Sequence, residues 1–139
     1  MACEAQSCGM LCEEMVSEIC QSLGYDVRRA PAKHSLFDLV VNGVRVQVKK
    51  RTTRATRPNR IEMKTSKRGE RFAYTTADVD AFAILCDGIW LVFPAAAVAD
   101  GLGRIPNDLD VRSVLQFVNG WRVLEGGTCW LDRQLNFGF

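Results

Sequence analysis

Asp38, Gln47 and Lys49 stand in an otherwise largely apolar run, Phe37-Asp38-Leu39-Val40-Val41-Asn42-Gly43-Val44-Arg45-Val46-Gln47-Val48-Lys49. A carboxylate and a side-chain amide carbonyl are oxygen donors suited to a hard cation such as Mg²⁺. That ion takes one or two carboxylates and fills its shell with water, carbonyls and substrate phosphate. The backbone carbonyl of Val48 offers a third oxygen. Lys49 stands where an ammonium orients an attacking water and offsets charge growing on a phosphate. The chemistry so assembled is phosphodiester hydrolysis. The same alternation also describes an ordinary hairpin with one solvated face, so three residues alone do not decide between the two.

The element that must position them is the hairpin itself. Asn-Gly between alternating apolar residues is a strong signal for a two-residue turn whose central positions both need positive φ. It sets Val41 opposite Val44, Val40 opposite Arg45, Leu39 opposite Val46 and Asp38 opposite Gln47. Side chains alternate with period two, so Lys49 shares the Gln47 face and lies diagonally beside Asp38. Phe37, Leu39, Val41, Val44, Val46 and Val48 fall on the other, core-facing surface.

The 139 residues are read as one domain, 1–139, large enough to bury a core without staples, and 47% apolar with 24% charged residues is a globular composition. No run of 18 apolar residues and no basic leader precedes the first element, so neither a membrane span nor a secretory signal is expected, and the expected place is the cytoplasm. Six cysteines without a CxxC pair, beside a single histidine, read as small apolar packing rather than as a disulfide frame or a zinc site. The net charge of +2 hides an asymmetry: from Arg45 to Arg71 eleven basic residues face only Glu62 and Glu70. Such a block is the footprint of a polyanionic partner.

Along the chain, Ser7 to Leu23 reads as an amphipathic helix with Leu11, Met15, Ile19 and Leu23 as its stripe, widened by Val16 and the cysteines, and ended by Gly24. A short strand from Tyr25 to Arg29 precedes the hairpin, whose second strand runs to Arg51. Arg60 to Thr65 and Arg71 to Tyr74 read as two strands of a basic ribbon joined by Ser66-Lys67-Arg68-Gly69. Ala81 to Cys86 and Ile89 to Phe93 read as buried strands joined by Asp87-Gly88, and Pro94 as the start of a short helix to Asp100. Asn107, Asp108 and Asp110 suggest a turn and a helix start. Residues 125–139 read as a C-terminal extension. On the first helix, at roughly 100° per residue, Glu13 and Glu18 fall just past the two edges of the apolar stripe, and Glu14 faces away. Only the first two are placed to reach a site beside the sheet.

Gly9-x-x-x-Glu13 on a first helix, Leu23-Gly24-Tyr25-x-Val27, Phe37-Asp38-Leu39-Val40-Val41 and Val46-Gln47-Val48-Lys49 together resemble the PD-(D/E)XK nuclease superfamily. Within it, the sequence is most similar to the Gln-x-Lys branch, which includes homing endonucleases associated with group I introns of cyanobacterial and phage type. Asp78-Val79-Asp80, Trp90-Leu91-Val92-Phe93-Pro94 and Phe117-x-x-x-Trp121 extend the resemblance over about residues 8–124. It implies an α/β (α+β) fold with a restriction-endonuclease-like core, a mixed β-sheet flanked by helices. It implies Glu13, Asp38, Gln47 and Lys49 as catalytic residues. Asp38, Gln47, the Val48 carbonyl and Glu13, directly or through water, would hold Mg²⁺, with Mn²⁺ able to substitute. The chain departs from the pattern at Phe37, where the name-giving proline would stand, and at Gln47, where an acid is usual.

Lys50, Arg51, Thr53, Arg54, Arg57, Arg60, Lys64, Lys67, Arg68 and Arg71 are the expected DNA contacts, since guanidinium forks and hydroxyls suit phosphate oxygens and base edges. His34 reads as a surface residue, Asp80 as a turn or strand-start residue, and Trp90, Trp121 and Trp130 as core or interface aromatics. The expectation is a site-specific endonuclease of double-stranded DNA, acting as a homodimer or homotetramer without a small-molecule cofactor. A junction resolvase or restriction or repair nuclease, and a DNA-binding module without catalysis, are the alternatives.

Overall fold

The computed structural model describes residues 4–30, 36–51, 59–63, 65–67, 70–72 and 74–125, with backbone alone at 4–10, 65–67 and 70–72. Helix α1 runs Glu4–Ser22, followed by strands β1 (Val27–Arg29), β2 (Leu39–Val41) and β3 (Val44–Arg51). Its C-terminus closes as a Schellman motif. Gly24 takes φ +82°, its N–H donates to the Gln21 carbonyl, and the Tyr25 N–H donates to the Cys20 carbonyl at 3.0 Å. The turn residues Asn42 and Gly43 have φ values of 52° and 83°. The register follows: Val41 pairs with Val44, Val40 with Arg45 and Leu39 with Val46, as the turn chemistry predicts.

After β3 come β4 (Arg60–Glu62), β5 (Thr65–Lys67), β6 (Glu70–Phe72), β7 (Ala81–Cys86), β8 (Ile89–Pro94) and β9 (Asp108–Asp110). The main sheet has five strands in the order β1-β2-β3-β7-β8. All its pairings are antiparallel except β3 with β7, which makes the sheet mixed. The β7–β8 turn repeats the device of the first hairpin, with Asp87 at φ 51° and Gly88 at φ 81°. Short 3₁₀ turns cover Ala95–Ala97, Val111–Phe117 and Trp121–Leu124. Among the described residues no helix is long and apolar enough to cross a membrane.

Period-two alternation divides the sheet into two buried faces. Leu39, Val41, Val44, Val46 and Val48 pack with Ala81, Ala83, Trp90 and Val92 against Cys12, Val16 and Cys20 of α1. Ala81 and Ala83 on β7 are small, which leaves room for the helix. On the other face Phe82, Ile84, Cys86, Leu91 and Phe93 join Ile61, Met63, Tyr74, Val79, Ile105, Leu109 and Val114 in a second cluster. Phe37, expected with the first face, packs against this second cluster instead.

Several elements differ from the sequence expectation, each for a physical reason. The helix buries Cys12, Val16 and Cys20, while Leu11 and Leu23 are 58% and 49% exposed. The buried stripe is therefore rotated toward its cysteine edge, because the small thiols let α1 approach the sheet more closely than a leucine row would. The basic ribbon is shorter than expected. β5 pairs with β6, whereas Ile61 and Met63 turn inward and β4 pairs with β9, a strand where the aspartates suggest a turn. The helix after Pro94 is a single 3₁₀ turn. Asp110 does cap the following 3₁₀ stretch, accepting from the Arg112 N–H at 2.9 Å.

Asn42 anchors the hairpin at both sides. Its Oδ1 accepts from the Asp26 N–H at 2.9 Å, and its Nδ2 donates to the Leu124 carbonyl at 2.8 Å. Asn42→Ala removes both bonds and leaves a residue ill-suited to positive φ, so it should cost about 2–3 kcal/mol in urea unfolding. A loss under about 0.5 kcal/mol would remove the turn from its anchoring role.

Candidate active site where the hairpin strands part

Asp38 immediately precedes β2, and its carboxylate continues the ladder that the backbone leaves off. The Asp38 N–H donates to the Val46 carbonyl at 2.8 Å, and Asp38 Oδ2 accepts from the Val48 N–H at 2.9 Å. The side chain thus lies in line with the inter-strand hydrogen bonds, at the place where the two strands separate. Its own carbonyl accepts from the Ala30 N–H, which ties the same point to the end of β1.

Glu13 reaches this point from α1. The rotated stripe explains which helix acid arrives: Glu13, next to the buried Cys12 and Val16, is half-buried, while Glu14 and Glu18 are exposed. Burial, the charge of Asp38 and a hydrogen bond with it push the Glu13 carboxyl up to about 7, against the opposing pull of Arg29. Arg29 Nη1 lies 3.4 Å from Glu13 Oε2, an ion pair that sequence reading missed. Its only sequence signal is its place at the end of a strand next to the hairpin.

Gln47 and Lys49 share one face of β3, both half-buried. Parallel pairing sets Gln47 beside Phe82 and Lys49 beside Ile84, so the polar strand face runs onto the second apolar cluster. Lys49 Nζ stands 5.6 Å from the centre of the Tyr74 ring. Burial lowers the ammonium's pKa, and Asp38 opposes that shift. Asp38 is thus the shared neighbour, hydrogen-bonded with Glu13 and acting on Lys49 through its charge, and register places Gln47 on the Lys49 strand face. The Val48 N–H serves Asp38.

Arg45, also on this face, grips Asp80 with two guanidinium contacts at 3.0 Å. Its backbone N–H donates to the same carboxylate at 2.9 Å, and Nη1 donates to the Ala77 carbonyl at 2.7 Å. Asp80 stands immediately before β7, so this clamp joins the first strand of the parallel pair to the entry of the second. Asp80 is thus the strand-start residue that its sequence position suggested.

The expected DNA contacts are dispersed. Arg51 is turned inward and buried, donating to the Arg60 carbonyl at 2.8 Å and to Asp87 Oδ2 at 3.0 Å, with Cys86 Sγ at 3.5 Å. β3 ends beneath the 59–63 segment rather than in solvent, so a guanidinium there serves the fold. Arg60 pairs with Asp108 at 3.2 Å. Lys50 is exposed on the opposite strand face from Lys49. Thr53, Arg54, Arg57, Lys64 and Arg68 lie outside the described residues, as do His34 and Trp130, and Lys67 and Arg71 are described by backbone alone. Arg45, Arg51 and Arg60 each have an acid partner outside the basic block, so part of its charge is neutralised within the fold.

Among the described residues no group of three or more His, Cys, Asp or Glu is placed to hold a metal ion. Glu13 and Asp38 form a pair. The donor set nonetheless fits Mg²⁺, which needs only one or two carboxylates beside neutral oxygens and water. Like charges held together with one acid's pKa raised are the condition that a bound cation relieves.

No protein-family model matches this chain, and no curated protein matches it. Among solved structures it is similar to a bacterial homing endonuclease, I-Ssp6803I, at a TM-score of 0.68 and 15% identity, covering 86% of this chain and 92% of that one. At that identity the likeness is one of fold, and it bears out the expected mixed sheet flanked by helices.

The raised carboxyl of Glu13 makes stability depend on pH in a defined direction. Between about 4.5 and 7 the folded protein holds a proton that the unfolded chain has lost, so stability falls as pH rises through this window and levels off above it. Without divalent metal, wild type should lose roughly 1–3 kcal/mol more than Glu13→Gln between pH 5 and 8 in urea titrations. Parallel curves for the two proteins would contradict the carboxyl pairing.

Proposed function

We propose that this chain is a metal-dependent endonuclease that hydrolyses phosphodiester bonds in double-stranded DNA at a defined site, and that it is of the homing type. One observation carries the reading: Glu13 and Asp38, from different elements, are hydrogen-bonded where β2 leaves β3, and the charge of Asp38 reaches Lys49. Folding keeps two acids in an arrangement that disfavours ionisation of one of them, which makes sense for a protein whose working form contains a divalent cation. The fold likeness to a protein described as a bacterial homing endonuclease adds support.

Mg²⁺ or Mn²⁺ bound here would polarise the scissile phosphate and offset its developing charge. Asp38 and Glu13 would hold the ion, with the Gln47 side-chain carbonyl and the Val48 backbone carbonyl as neutral donors. Lys49 is the group placed to orient the attacking water and to steady charge on the phosphate. The clamp between Arg45 and Asp80 holds the strand that presents Gln47 and Lys49. Exposed Lys50 and the basic residues from 52 to 71 other than Arg60 are the proposed phosphate contacts; Arg51 and Arg60, paired with Asp87 and Asp108, are left to the fold. One such centre cuts one strand, so two subunits related by a twofold axis, as a dimer or within a tetramer, give a double-strand break.

A second reading, a DNA-binding module without catalysis, draws on Gln47 in place of an acid and on the Arg29 ion pair, which already gives Glu13 a cation. Cleavage of a randomised duplex library in Mg²⁺, with EDTA as control, separates the two. The wild type should cut at one long preferred site and stop in EDTA. Asp38→Ala and Lys49→Ala should each lose roughly a thousandfold or more in rate while binding DNA within a fewfold of wild type. Binding without metal-dependent cleavage would favour the module. Preference for a synthetic four-way junction would point to resolution, and a short palindrome to restriction.

A further inference from the structure

Tyr74 is among the largest fully buried side chains of the described structure, 1% exposed, yet its ring lies beneath the ammonium of Lys49, 5.6 Å from the ring centre. The ring is fixed from several directions. It meets Phe82 edge to face, with centroids 5.5 Å apart and planes at 75°, and Phe82 is the β7 neighbour of Gln47. The Tyr74 carbonyl accepts from the Ile105 N–H at 2.8 Å. The next residue, Thr75, is bound through its N–H and hydroxyl to Asp78, and the same segment is fastened to β3 through the Arg45–Asp80 clamp. Two features of one strand, Arg45 and Lys49, thus bracket the segment that carries the ring.

Lys49 has a flexible four-carbon stem and a compact charge, so nothing in its own covalent structure fixes where the ammonium sits. Asp38 is one acid whose charge acts on it. An ammonium drawn fully onto Asp38 would take a carboxylate needed elsewhere in the site. An aromatic face attracts a cation electrostatically without using a carboxylate, and it does so most strongly where water is excluded.

We propose that Tyr74 is a positioning residue for Lys49, its ring face helping to seat the ammonium. This rests on the endonuclease reading for its effect on rate but not for its geometry. The role belongs to the ring and not to the hydroxyl, so Tyr74→Phe should keep it and Tyr74→Leu should abolish it.

Two measurements test this. In single-turnover cleavage of duplex DNA in Mg²⁺, Tyr74→Phe should stay near wild type. Tyr74→Leu should fall by about tenfold or more, as a displaced reacting group does, with its Kd for DNA unchanged. Independently of cleavage, the Lys49 side-chain methylene protons nearest the ammonium, assigned by their disappearance in Lys49→Arg, should be shifted upfield by the ring in wild type and Tyr74→Phe. In Tyr74→Leu they should return to the ordinary lysine position. A folded Tyr74→Leu that cuts at the wild-type rate overturns the proposal. So does a Tyr74→Phe that loses as much as Tyr74→Leu, or a wild-type Lys49 with no upfield shift, which can be read even if Tyr74→Leu fails to fold. Absence of cleavage by the wild type would instead overturn the endonuclease reading and leave the resonance measurement to decide the seat of Lys49.

Discussion

The positive φ angles of Asn42 and Gly43 are the constraint on which the rest depends. A two-residue turn permits one register, and in a strand pair a slip of one residue would move every side chain to the opposite face. With the register fixed, five aliphatic residues meet α1, and Arg45, Gln47 and Lys49 are carried to the other face. Asp38 then falls at the first position beyond the ladder, where its carboxylate can replace a backbone acceptor. Asn42 adds its own side-chain bonds to Asp26 and Leu124, so the turn that sets the site also ties together segments distant in sequence.

The sheet explains how acids from two elements come to share a point. β2 and β3 separate at Asp38, and the helix approaches because Ala81, Ala83 and three buried residues no larger than valine line its contact. That close approach delivers Glu13 to the opening. Bringing it there costs free energy, visible in a carboxyl that holds its proton up to about pH 7. Arg29 offsets part of that cost. On the far side, burial and an aromatic face define where Lys49 can stand. Acidic and basic halves of the site are thus governed by different cores, one beneath the helix and one beneath Tyr74.

How much of this was legible depended on whether the information was local. The hairpin register, its face pattern, the Asp87-Gly88 turn and the Gly24 helix stop are short-range chemistry and could be read from residue types. The helix wheel identified Glu13 and Glu18 as candidates but could not choose between them. The choice comes from a rotation of the helix toward Cys12, Val16 and Cys20, set by the shape of the sheet below. The same limit applies to the basic block. Arg51 and Arg60 look like polyanion contacts in sequence, yet their acids, Asp87 and Asp108, lie dozens of residues away and meet them only through the fold. β9 was hidden because three residues rich in aspartate resemble a turn until Ile61 requires Leu109 as its partner. Tyr74 read as one more apolar position in a strand, since a ring beneath a lysine leaves no pattern in the chain.

Glu13 and Asp38 as a seat for a divalent cation are tested most directly by calorimetric titration of Mn²⁺ into the metal-free protein in buffers of different ionisation enthalpy. Binding should be saturable and, at pH 7, should release roughly half a proton, because the carboxyl titrating near 7 must ionise to bind the ion. The release should fade by pH 8.5 and be absent in Glu13→Gln. Saturable binding without proton release between pH 6 and 8, or no binding, would contradict this account of the site.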